Sequence, residues 1–214
     1  MGFPIYIYVM ILSFLAGVYI FFRGTSNRYL NGLTIFLAIS ILMETFNHFR
    51  NKKFQNTLII YNFFSVFEFL FYIWLLREIV KKPKPKKVFL YVLLIYPVVA
   101  MVNIFFIQGR DKFASVSYGI GCLAIVVMSI YFFFELFQLT YSNLLKQPPF
   151  WICSALLFFY CCSFPIFGLS NFINDFPRVI KHNIGTIIEF LNVFLYAVFT
   201  IAFLCNLRTT RSSQ

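Results

Sequence analysis

Four glutamates sit inside or at the edge of long apolar runs: Glu44, Glu68, Glu135 and Glu189. If those runs cross a bilayer, each acid costs at least about 2.5 kcal/mol on insertion scales, and such residues mark ion paths, proton relays or ligand sites. Three of the four belong to polar stripes at helical spacing. The stripes are Tyr61, Ser65, Glu68, Tyr72, then Tyr131, Glu135, Gln138, Ser142, and Thr186, Glu189, Asn192, Tyr196, Thr200. Steps of three and four place each set on one helix face. Such faces turn into a bundle, because lipid offers polar groups no partners. A staggered series of acids suits an ion or proton relay, or a ligand site opening to one side with a connection to the other. Separate interhelical hydrogen bonds, about 0.6 kcal/mol each on average, would look the same.

Glu44 and His48 lie four apart on one helix face, and Glu189 could approach them from another helix. Glu and His supply oxygen and nitrogen to a metal. With only two histidines in the chain, an i,i+4 Glu44–His48 hydrogen bond is the simpler expectation, and no metal or cofactor is assigned. No nucleophile constellation, phosphate loop or glycine-rich nucleotide fingerprint occurs, so the chain offers no catalytic set. The last span has no lysine for a retinal Schiff base, and a zinc-dependent seven-helix hydrolase would need more histidines.

The elements that carry these residues follow from composition. Hydrophobic residues make up 61% of 214 and charged residues 12%, against about 25% charged in soluble domains. Seven continuous apolar runs follow one another, at about 5–22, 29–47, 54–76, 88–107, 114–141, 150–172 and 184–207. They lack the period-two alternation of barrel strands. The expectation is therefore an all-α polytopic membrane protein, a single seven-helix domain over residues 1–214 with no soluble domain. Pro97 and Pro165 fall inside spans and are expected to kink them. The five cysteines lie in apolar segments and suit packing. The N-terminus carries no signal-peptide pattern.

The net charge of +11 belongs to short connectors, where basic residues meet lipid headgroups rather than nucleic acid. With the N-terminus outside and the C-terminus cytoplasmic, eleven Lys and Arg fall inside and seven outside. The outer seven include Arg50, Lys52, Lys53, Arg110, Arg178 and Lys181. Without the five lysines of the Lys81–Lys87 run, the balance is six against seven, so that one loop carries the orientation.

The third and seventh spans share a pattern: Asn62, Ser65, Glu68-Phe69-Leu70 and Asn183, Thr186, Glu189-Phe190-Leu191. Both spans run in the same direction, which fits a parallel 3+1+3 repeat with the fourth span as connector. Chance in a biased alphabet is the other reading.

The segment from Asn143 through Lys146-Gln147-Pro148-Pro149-Phe150-Trp151 to Tyr160, leading to Phe164-Pro165, resembles small uncharacterised seven-helix bacterial membrane proteins that often accompany sensor histidine kinases. The resemblance implies a bacterial inner (plasma) membrane and a sensing or signalling role, and transfers no site residues. The leading expectation is a membrane sensor acting through a membrane or cytoplasmic signalling partner. A small-solute or ion transporter using the intramembrane carboxylates, and an intramembrane lipid-modifying enzyme, are the alternatives. The residues expected on a ligand or ion path are Glu44, His48, Glu68, Glu135, Glu189 and Asn192.

Overall fold

The protein is represented by a computed structural model that describes residues 4–23, 27–51, 58–109, 112–138, 144–168 and 178–211, with side chains described except at 50, 51, 178–181 and 208–211. Of the sequence expectations, Lys52, Lys53, Arg110 and Ser142 lie outside the described residues, as do the side chains of Arg50, Arg178, Lys181, Arg208 and Arg211.

Every described element is helical. Seven α-helices run in order: α1 (Ile5–Phe22), α2 (Arg28–Asn51), α3 (Leu58–Ile79), α4 (Pro83–Val102), α5 (Ser115–Gln138), α6 (Pro148–Ser163) and α7 (Arg178–Arg211). A short 3-10 turn, Leu144–Lys146, precedes α6. All seven are long and apolar enough to cross a bilayer. Large apolar side chains such as Phe22, Leu42, Phe106 and Phe137 are exposed on their outer faces, as lipid-facing helices require and a water-soluble surface would not tolerate.

Two boundaries differ from the expected spans for a clear reason. Helix α4 starts at Pro83 and α6 at Pro148. A proline in the first helical turn has no N–H to lose, since the first donors of a helix lack intrahelical partners anyway. The lysine run therefore enters the first turn of α4 rather than forming a connector. Pro97 lies within α4, which widens into a π-helical turn at Asn103–Ile107. Pro165 lies inside a second π turn, Phe164–Gly168, which extends α6. Proline cannot donate the ladder bond, and a wider turn re-routes the neighbouring ones.

The helices pack as a ring in the order α1, α2, α3, α5, α6, α7, closed by α7 against α1, with α4 outside it on α3 and α5. This order is what a 3+1+3 arrangement produces: α1–α2 corresponds to α5–α6, α2–α3 to α6–α7, and α3–α5 to α7–α1. The short motif does not follow that symmetry in detail. Asn62 is fully buried, whereas Asn183 is exposed.

The lower half of the ring, holding the end of α1, the start of α2 and the ends of α3 and α7, is densely packed. Ile20, Leu30, Leu33, Leu75, Leu76 and Phe203 have no exposed surface. Around the bundle's middle, Phe69 and Tyr72 of α3 join the other helices through ring contacts. Phe69 meets Tyr96, Tyr118 and Tyr160 at centroid distances of 5.6, 5.0 and 5.3 Å. Tyr72 meets Phe36, Tyr160 and Phe199 at 5.1, 5.8 and 6.4 Å. Gly121 of α5 permits this approach, because a Cβ there would lie 2.7 Å from the Phe69 ring.

Polar clamps fix the opposite end. Asn62 donates from Nδ2 to the Lys112 carbonyl (2.9 Å) and accepts at Oδ1 from the Ala114 N–H (3.0 Å), pinning the backbone that leads into α5. Asn103, in the π turn after α4, donates to Gln108 Oε1 and to Ser117 Oγ of α5. Gln108 in turn donates to Ser115 Oγ.

Candidate functional site

The four acids separate into two pairs. Glu135 is 4% exposed and lies near the end of α5. Its carboxyl accepts the Lys81 N–H at both oxygens (3.1 and 3.3 Å) and the Lys82 N–H at Oε1 (2.9 Å). These donors immediately precede α4, so Glu135 caps another helix's start, where the partial positive charge of a helix N-terminus favours an anion. Lys82 Nζ donates to Gln138, one turn further along α5. Glu189 does the same at α1: its Oε1 accepts the N–H of Ile5, the first residue of that helix, at 2.8 Å. Both capped helices start beside proline, at Pro4 and Pro83.

Glu44 and Glu68 are held differently. Glu44 Oε2 accepts from the hydroxyl of Tyr6 on α1 (2.9 Å), and Glu68 Oε1 accepts from the hydroxyl of Tyr160 on α6 (3.0 Å). Both line one cavity of about 400 Å³. That volume falls within the roughly 300–1,000 Å³ range of small-molecule pockets. The wall is mostly aromatic, with Tyr61, Phe64, Tyr118, Phe159 and Tyr196 among its rings, and Asn192 and Ser40 add polar groups.

The chain direction explains why these residues converge. The cavity takes the start of α1, α3, α5 and α7 and the ends of α2 and α6, so it occupies the half of the bundle nearest the N-terminus. It reaches the helix ends at Tyr6 and Leu58, and Glu68 and Tyr196 form its deepest part. One turn beyond Glu68, Tyr72 belongs to the fully buried aromatic layer. That layer separates the cavity from Glu135 at the far end. Glu135 lines a different, small cavity of about 40 Å³ with Lys81, Gln147 and Pro149.

Of the six residues expected on one path, the structure gathers Glu44, Glu68 and Asn192 around this cavity. Glu135 and Glu189 cap helices instead. His48 is not among the lining residues, and its ring meets Phe49 edge-on at 5.9 Å. The Glu44 partner identified by geometry is Tyr6, on a different helix. No group of three or more His, Cys, Asp or Glu that could hold a metal occurs among the described residues.

Sequence reasoning missed Tyr6, Ser40 and Tyr160. A tyrosine in an aromatic-rich span has no local mark showing that its hydroxyl meets a carboxyl 38 or 92 residues away. Ser40 is 3% exposed, and its hydroxyl has no hydrogen-bond partner among the described residues. Its one sequence signal is its position four residues before Glu44.

No family model, curated protein or solved structure matches the chain.

Proposed function

We propose that this chain is an integral membrane sensor that receives a small ligand in the Glu44–Glu68 cavity and passes the change to a partner protein. In this reading the N-terminal end of the bundle faces outward and the Lys81–Lys87 end faces the cytoplasm of a bacterial cell. The observation that carries it is the double role of Glu68. It lines the cavity and also holds Tyr160, so a ligand that competes for its carboxyl acts directly on the α3–α6 junction. A binding event shifts a conformational equilibrium when it favours one state of such a junction.

The packed aromatic layer beneath the cavity supports a receptor over a relay, since the fully buried rings of Phe69 and Tyr72 lie between Glu68 and Glu135. The partner-facing surface in this reading is the basic start of α4. Photocrosslinking from Lys84 in cells tests the proposal. A signalling protein captured there, with a yield that Glu68→Gln changes, is the expected result. A yield indifferent to the cavity residues overturns it.

A second reading, a solute transporter, is favoured by the ring order, because parallel 3+1+3 halves suit alternating access. Proteoliposome uptake driven by a pH gradient and lost in Glu68→Gln would establish transport.

A further inference from the structure

We propose that the Glu44–Glu68 cavity binds a primary ammonium ion carried on an apolar, preferably aromatic, body. The inference rests on the ligand-cavity reading above and adds the chemical class of the ligand.

The charge of the wall comes first. Among the described residues, Glu44 and Glu68 are its only carboxylic acids, and none of the lining residues is Lys, Arg or His. The described ion pairs lie elsewhere, between Glu78 and the arginines Arg28 and Arg77. Each carboxyl is held by a single neutral phenol, Tyr6 or Tyr160, which occupies one of its two oxygens. A carboxylate removed from water needs a partner of opposite charge and further hydrogen bonds. Among the described residues each carboxyl has one phenol as hydrogen-bond partner and no cation; a bound cation would supply the charge and further donors.

The hydrogen-bonding inventory then selects among cations. Asn192 spends one of its two amide N–H groups on the Ile188 carbonyl (2.9 Å), and its oxygen remains an acceptor. The hydroxyls of Tyr6 and Tyr160 spend their protons on the two glutamates. The acceptors left to a ligand are the second oxygens of Glu44 and Glu68 and the Asn192 carbonyl, and the lining also includes Tyr61, Tyr118 and Tyr196, whose hydroxyls can donate or accept. Ser40 adds an independent mark of a missing partner. Ser40 is more than nine-tenths buried and lines the same cavity, and its hydroxyl has no hydrogen-bond partner among the described residues. A primary ammonium carries three donors and no acceptor, matching the two carboxyls and the Asn192 carbonyl. A quaternary ammonium would leave those acceptors unsatisfied, and an anion would face two carboxylates.

The remaining wall fits the rest of such a ligand. Rings dominate it, including Tyr61, Phe64, Tyr118 and Phe159. Aromatic faces attract cations, and their apolar edges hold hydrocarbon. The volume of about 400 Å³ is far larger than a metal ion needs and suits a molecule with a ring or a short alkyl chain.

The test uses the whole chain in lipid nanodiscs at neutral pH with three probes of matched shape: phenethylammonium, 2-phenylethanol and 3-phenylpropionate. Calorimetric titration should give saturable binding of the ammonium alone. Glu44→Gln and Glu68→Gln should each weaken it roughly tenfold or more, the loss expected for one charge-assisted hydrogen bond. Glu135→Gln, which alters an acid on the far side of the aromatic layer, should leave it unchanged. Should Glu68→Gln fail to fold, Ser40→Ala and Glu44→Gln carry the same comparison. Equal binding of phenethylammonium and 2-phenylethanol would overturn the ammonium assignment while leaving the ligand cavity in place. Absence of saturable binding for all three probes at millimolar concentration would overturn both.

Discussion

The hydroxyl of Tyr160 donates to Glu68 Oε1 at 3.0 Å, across 92 residues of sequence, and ties α6 to α3 at the deepest point of the cavity. One turn along α3, Tyr72 is equally buried, yet its hydroxyl has no hydrogen-bond partner among the described residues. Two tyrosines whose rings lie 5.8 Å apart therefore bear opposite energetic signs.

Removing the Tyr160 hydroxyl leaves a partly buried carboxyl oxygen unpaired, and Tyr160→Phe should lower stability by about 1–3 kcal/mol. Tyr72→Phe removes an orphaned hydroxyl and should be neutral or stabilising. Thermal unfolding of both variants in the same nanodiscs checks the contrast. Equal losses would refute the assignment of the hydrogen bond.

Glu135 fastens α4 to the bundle through the backbone N–H groups of Lys81 and Lys82. Glu135→Ala should cost about 1.5–3 kcal/mol, the range for hydrogen bonds to a charged group. Binding in the distant cavity should survive, because the aromatic layer lies between them. A parallel loss of ligand binding in a folded Glu135→Ala protein would contradict that separation.

Asn62 holds the backbone leading into α5, with the Ala114 N–H donating to its Oδ1. Asn62→Leu keeps the side chain's approximate volume but offers no acceptor. Hydrogen exchange at the Ala114 amide should quicken markedly while amides in the middle of α5 stay protected. Uniform acceleration along α5 would show that the clamp does more than pin its start.

Glycines give a paired comparison. A Cβ on Gly121 would meet the Phe69 ring at 2.7 Å, whereas nothing lies within 4 Å of one on Gly185. Gly121→Ala should destabilise by about 1–3 kcal/mol through overpacking. Gly185→Ala, in open space on α7, should gain up to about 1 kcal/mol from helix propensity. Denaturation of the two single variants side by side decides whether packing at Phe69 is as tight as described.

The seven spans were legible because continuous apolar runs of about 20 residues admit few other structures. The start of α4 was not, since Lys81-Lys82-Pro83-Lys84-Pro85 has the composition of a connector. Only the tolerance of proline in a first turn makes it a helix start. The four acids were legible as individuals and their division was not. Glu189 and Glu68 share a motif, yet one meets a backbone N–H and the other a tyrosine hydroxyl. Spacing reports which face a side chain occupies; the partner comes from a different helix and leaves no trace in local pattern.

The closure of the ring by α7 against α1 sets the moment at which the cavity comes into being during synthesis. Ile188, Asn192 and Tyr196 on the last helix supply one wall, and Glu189 beside them secures the first turn of the first helix. While the nascent chain holds six helices, Glu44 and Glu68 border an open seam that lipid or the insertion machinery must fill. Arrival of the seventh helix shuts that seam and turns two exposed acids into the lining of an interior. A chain truncated before Arg178 would keep its acids and lose the compartment that gives them a use.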